Sequence, residues 1–223
     1  MTGHAVITGA SSGIGAAIAA RLLNESWRLT ALGRSAPAPH PRLAHRAVDL
    51  LDEAALAAAL DGLAPDALIH AAGLMRAAPL GALDGEAGRT LWQLHVDAAA
   101  RLADTLAPRM PDGGRILLIG SRTSSGAAGR SQYAASKAAL VAMARSWAAE
   151  LAPRRITVNV IAPAATDTPM LRDPARQQTP PRLPPIGRYI TPEEVAALAG
   201  FLLGAEAGAI TGQQIVVCGG SSL

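Results

Sequence analysis

Thr8-Gly9-Ala10-Ser11-Ser12-Gly13-Ile14-Gly15 closes a short apolar run, His4–Thr8, and opens an alanine-rich segment with helical spacing. A strand that ends in a glycine turn and restarts as a helix is the opening of a βαβ unit. Gly9 permits a tight turn, and Gly13 and Gly15 let an anionic group and the sheet approach the backbone closely. The free N–H groups and the dipole at the helix start then favour an anion such as phosphate. Three glycines with Ser11 and Ser12 among them are more than a plain turn needs.

The same alternation continues outward along the chain. Further short apolar runs lie at Arg28–Leu32, His45–Val48, Ala67–Ala71, Arg115–Ile119, Thr157–Ile161 and Gln214–Val217. They are rich in Val, Ile and Leu and alternate poorly, which suits parallel strands buried on both faces. Helical spacing marks Gly13–Glu25, Asp52–Leu60, Gly88–Ala107, Ser131–Leu151 and Pro192–Leu203. Thr191, Pro192 and Glu194 form a capping signature for the last of these. Seven strands interleaved with helices predict one α/β domain over 1–223, a doubly wound seven-stranded parallel sheet. Two stretches break the rhythm. Arg34–Arg42 holds three prolines and reads as a loop. Thr168–Arg188 holds six, at a density that cannot keep a helix, and reads as a lid over about 168–190.

A second cluster lies in the long helix from Ser131, in Tyr133-Ala134-Ala135-Ser136-Lys137. Residues i and i+4 share a helical face, so the Lys137 ammonium can sit beside the Tyr133 phenol. A nearby cation favours phenolate, which makes tyrosine a usable acid or base near neutral pH. Lys137 is the only lysine; the other nineteen of the 20 basic residues are arginine. A chain that avoids lysine elsewhere needs an ammonium there. Upstream, the strand Arg115–Ile119 ends at Gly120-Ser121, which puts Ser121 at the carboxyl edge of the sheet, where it can polarise a carbonyl. Ser124 and Ser125 are nearby rivals.

The turn at 8–15 and the Tyr133/Lys137 pair, in that order, resemble the short-chain dehydrogenase/reductase family, and the likeness covers nearly the whole chain. It implies a Rossmann-type fold with Ser121, Tyr133 and Lys137 as the catalytic core. His95 would take the place of a fourth catalytic residue, usually an asparagine that helps hold a proton-relay water. The dinucleotide would lie along Thr8, Gly9, Ser11, Ser12, Gly13, Ile14 and Gly15, then Asp49-Leu50, then Ala71-Ala72-Gly73 and Pro163, Thr166 and Thr168. Tyr133 and Lys137 would also touch it. Thr211-Gly212-Gln213 and Gly219-Gly220 match the family's terminal strand. The chain departs from the pattern at His70 and Ala71, which replace asparagines, and at Ala164 and Cys218. Arg34 directly follows the second strand, and no acidic residue lies between Arg28 and His40. An acid there would repel the extra phosphate of NADP, whereas arginine can bind it, so the expectation is NADP (NADPH) rather than NAD. The implied activity interconverts a small-molecule carbonyl compound and its alcohol. A regulatory protein that binds NADP(H) without turnover is the alternative, and the resemblance implies a homodimer or homotetramer.

Composition narrows the partners. The net charge is only +3 despite a pI near 9.7, no run of like charge occurs, and no nucleic-acid surface is expected. Arg122, Arg172, Arg176, Arg182 and Arg188 read either as solvated surface groups or as receptors for an anionic substrate. A single cysteine, Cys218, allows no internal disulfide. With no signal-peptide pattern and no long apolar span, a cytoplasmic protein free of the membrane is expected.

Overall fold

The computed structural model describes residues 3–173 and 180–223. Its seven strands are β1 (His4–Thr8), β2 (Arg28–Gly33), β3 (Leu43–Ala47), β4 (Ala67–His70), β5 (Arg115–Ile119), β6 (Thr157–Pro163) and β7 (Gln214–Val217). They form one sheet in the order β3-β2-β1-β4-β5-β6-β7, with every neighbouring pair parallel. The order reverses at β1, so a crevice opens between the carboxyl ends of β1 and β4. Open α/β sheets bind their ligands at such a point.

Among the described residues, six α-helices cover the two faces: α1 (Gly13–Asn24), α2 (Glu53–Ala59), α3 (Gly85–Trp92), α4 (Ala98–Leu106), α5 (Ser131–Leu151) and α6 (Pro192–Leu203). Side chains alternate across each strand, so each strand feeds two cores. Val6, Leu68, Leu118 and Val160 pack against Leu56 of α2, Leu102 and Leu106 of α4 and Leu140 of α5. Ile7, Leu29, Ile69 and Leu117 face the other way, onto Ile18 and Leu22 of α1 and Val195 and Leu202 of α6. Burial of each large aliphatic side chain is worth about 1.5–3 kcal/mol, so both helical layers are held firmly to the sheet.

The expected elements are present, with informative shifts. β3 starts two residues early, at Leu43. The capping box of α6 forms in full: Thr191 Oγ1 accepts from Glu194 N–H at 3.3 Å, and Glu194 Oε2 accepts from Thr191 N–H at 2.8 Å. The stretch read as one helix over Gly88–Ala107 is different. It begins at Gly85, where Asp84 accepts from the N–H groups of Glu86 and Ala87. Two glycines in the first turn weaken the helical signal there. It is then interrupted by a π turn, Gln93–Asp97, before α4 resumes. Such turns carry one extra residue and recur at functional sites. Among the described residues, no helix is long and apolar enough to cross a membrane. Of the lid segment, Pro174 and Arg176 lie outside the described residues.

Candidate active site

A cleft of about 1350 Å³ runs along the carboxyl edge of the sheet. Gly9, Ser11, Ser12, Gly13, Ile14 and Gly15 form its floor at one end, and Arg34, Asp49 and Leu50 line it beyond β2 and β3. Ala71, Ala72 and Gly73 follow β4. His95, Ser121, Tyr133 and Lys137 stand at the centre, and Pro163, Thr166 and Thr168 form the opposite wall. Residues read as candidates from distant parts of the chain thus meet in one cleft.

The turn at 8–15 is a cradle that side chains would fill. Gly9 has φ +72°, and a Cβ on it would stand 2.7 Å from Ala71 C. A Cβ on Gly15 would stand 2.1 Å from Gly9 O. Ser12 occupies the N-cap of α1 without a side-chain cap hydrogen bond, which leaves the first-turn N–H groups facing the cleft. A pyrophosphate fits this half of the site. Thr8, expected in the cofactor-binding set, lies beneath the cleft. It is fully buried, and its hydroxyl oxygen accepts from Ala71 N–H at 3.2 Å and Ala72 N–H at 3.1 Å. It shapes the loop beside the cofactor from beneath.

At the centre, Lys137 is buried and donates to Ile119 O at 2.9 Å. Its Nζ lies 5.9 Å from the Tyr133 ring centroid. Burial pushes the ammonium down to about 7. Tyr133 packs on Met75 and Leu91 and meets the His95 ring edge-on, with centroids 5.6 Å apart. Ser121 follows β5 as the N-cap of the 3-10 turn Arg122–Ser125. Its Oγ accepts from Thr123 N–H at 3.2 Å and lies 2.9 Å from Thr123 Oγ1. Of the three serines, only Ser121 lines the cleft. Ser124 accepts from Gln214 and Ser125 donates to Arg122 O.

His95 has no exposed surface, and both ring nitrogens have protein partners. Nε2 accepts from Leu74 N–H at 3.1 Å. The proton therefore sits on Nδ1, which donates to Ser136 Oγ at 2.9 Å; Ser136 donates onward to Tyr133 O at 2.9 Å. Burial, Lys137 and His70 hold its pKa well below the usual histidine value. A ring held this way anchors the π turn. Both ring nitrogens are thus engaged by protein partners. The sequence reading also passed over Ser136 and the Leu74 amide, whose contacts with His95 bridge separate elements.

The structure sorts the arginines. Arg172 pairs with Asp167 at 2.7 Å and Arg188 with Glu194 at 2.7 Å. Arg122 and Arg182 line the cleft, as do Arg76 and Arg130, which the composition did not single out.

The comparisons agree with this geometry. A family model described as enoyl-(acyl carrier protein) reductase matches residues 9–222. The 3-oxoacyl-[acyl-carrier-protein] reductase MabA of Mycobacterium tuberculosis is 33% identical, over 98% of this chain and 92% of its own. A protein of Escherichia coli named cyclic-di-GMP-binding biofilm dispersal mediator is 35% identical, over 98% and 97%. The crystal structure of a blue fluorescent protein from a metagenomic library, in complex with NADPH, superposes with a TM-score of 0.87 at 31% identity, over 99% and 98%. The chain belongs to the short-chain dehydrogenase/reductase family. It is an oxidoreductase of CH–OH and C=O groups.

Proposed function

We propose that this protein is an NADPH-dependent reductase of a small ketone or aldehyde, working reversibly, with Ser121, Tyr133 and Lys137 as its reacting set. The observation that carries this reading is the meeting of those three side chains in one cleft with the glycine cradle. NADPH, when bound, supplies the hydride. Ser121 holds the carbonyl oxygen by a hydrogen bond, and Tyr133 gives that oxygen a proton as it becomes an alkoxide. Lys137 holds the nicotinamide ribose and keeps a positive field beside the phenol. His95 keeps the π turn and Leu74 in place around Tyr133. The described parts of the proline-rich segment 168–190 wall the substrate end through Met170, Leu183 and Pro185. The enzyme acts in the cytoplasm as a homodimer or homotetramer.

A panel of neutral and anionic ketones and aldehydes, followed by NADPH absorbance, tests the reading. At least one carbonyl compound is expected to turn over. Tight NADPH binding with no turnover across the panel would instead favour the regulatory reading. The biofilm-dispersal name of the E. coli relative keeps that alternative in view.

Cofactor choice has its own test. Arg34 lines the cleft beyond β2, where the 2′-phosphate of NADPH would lie. A charge-assisted contact of this kind is worth about 1.5–3 kcal/mol, so Arg34→Ala should lower the preference for NADPH over NADH by about one to two orders of magnitude. Dissociation constants for both cofactors check it. Equal weakening of the two would remove Arg34 from phosphate recognition.

A further inference from the structure

We propose that His70 is a positioning residue that ties the cofactor wall of the cleft to the π turn beside Tyr133. It ends β4, directly at the point where the strand order reverses, and has no exposed surface. Its Nε2 lies 3.1 Å from Leu94 O in the π turn, so that nitrogen carries the proton and donates. Its Nδ1 is then an acceptor, and the partner 2.9 Å away is Thr8 Oγ1 at the end of β1. Thr8 spends its single proton on His70. Its lone pairs are thereby left for the N–H groups of Ala71 and Ala72, the two bonds that shape the loop lining the cofactor half.

One imidazole therefore sets three things at once. It orients the Thr8 hydroxyl, through it the 71–72 loop, and directly the carbonyl of Leu94. The next residue, His95, is the mirror case, with its proton on Nδ1 and its Nε2 accepting from Leu74. The two histidines hold opposite tautomers and pin the π turn from two sides, His70 to the sheet and His95 to α5. A π turn is a rare one-residue insertion in a helix, and these external partners hold it in place. A protonated His70 would present a second N–H to Thr8. The hydroxyl would have to accept there and surrender one backbone donor. The titratable groups facing His70 are Lys137 from α5 and His95 from the π turn; Lys137 disfavours that added charge, and a charge on His70 would in turn lower the pKa of His95.

This inference rests on the reductase reading for its kinetic arm and on cofactor binding alone for the other. The test uses the full chain with His70→Phe, His70→Asn and Thr8→Val. Phenylalanine fills the space without hydrogen bonds. Asparagine restores one donor and one acceptor, and valine removes only the hydroxyl. His70→Phe and Thr8→Val, which remove two and three buried hydrogen bonds respectively, should each weaken NADPH binding and lower kcat by about tenfold or more, with KM for the carbonyl compound within about twofold. His70→Asn should stay within about threefold of the parent in both. The double variant Thr8→Val with His70→Phe should be no worse than either single change, since both break one network. Should His70→Phe fail to fold, Thr8→Val and His70→Asn carry the test. Parent-like NADPH affinity and kcat in Thr8→Val, or additive losses in the double variant, would overturn the proposal. If the parent itself turns over nothing, the reductase reading fails, and the NADPH affinities still decide the role of His70.

Discussion

Tyr133→Phe is expected to lower kcat by about 10²–10⁴-fold, the usual contribution of a positioned general acid, while NADPH affinity stays within about threefold. The phenyl ring keeps the contacts with Met75 and Leu91 and the edge-on meeting with His95. Only the phenolic oxygen is lost, and with it the proton. Lys137 remains buried on Ile119 O, so the field of the site is unchanged. The loss should fall on kcat with little effect on KM for the carbonyl compound, because the group acts as charge develops in the transition state. Steady-state kinetics with NADPH titrations check it. A variant retaining more than about a tenth of the parent kcat would take Tyr133 out of proton transfer.

Acid should destabilise the fold through the two buried histidines. His70 is held neutral down to about 3, first by burial and then by the charge of Lys137, against an ordinary value near 6.5. His95 shifts in the same direction for the same leading cause. As pH falls below 6.5, the unfolded chain takes up protons that the folded chain refuses. Stability is thus fully present above 6.5 and is lost as pH falls from there toward 3. Each proton that the folded chain refuses costs stability as pH falls, and His70 alone costs on the order of a few kcal/mol at pH 4.5. That is a large share of the roughly 5–15 kcal/mol typical of a folded domain. Lys137, lowered to about 7 from 10.5, loses its stabilising share above this window, between about 10.5 and 7. Glu194, lowered to about 2 by Arg188 and Thr191, titrates below 4.5. Urea unfolding between pH 7 and 4.5 therefore reads the two buried histidines together with His4, whose pKa burial also lowers. His70→Asn should flatten the slope. A parent protein equally stable across that range would show that the histidines accept protons without unfolding.

Much of the site was legible because its signals are local. The cradle is one turn of glycines and serines, and the Tyr133/Lys137 pair is one helical repeat. Ser121 stood out by following a strand directly, though two rival serines a few residues away could be set aside only from the structure. Gln214 approaches Ser124 across 90 residues, and that contact has no trace in the local pattern. Asp49 and Leu50 likewise follow a short strand whose limits moved by two residues without moving the residues that line the cleft.

By itself the sequence determined the parallel sheet, the crevice at its carboxyl edge, and the chemistry carried there. Strand and helix periods, turn glycines and the i, i+4 spacing are properties of adjacent residues, and they survive any detail of packing. The tertiary structure alone decided what the buried polar groups do. Thr8, expected to touch the cofactor, is turned inward to hold Ala71 and Ala72. The continuous helix after Gly85 is opened by a π turn, and His70 and His95 are locked in opposite tautomers on either side of it. These outcomes depend on hydrogen bonds between residues 62, 24 and 41 positions apart. A buried polar atom must find a partner wherever the fold supplies one, and only the folded chain brings those partners within 3 Å or so.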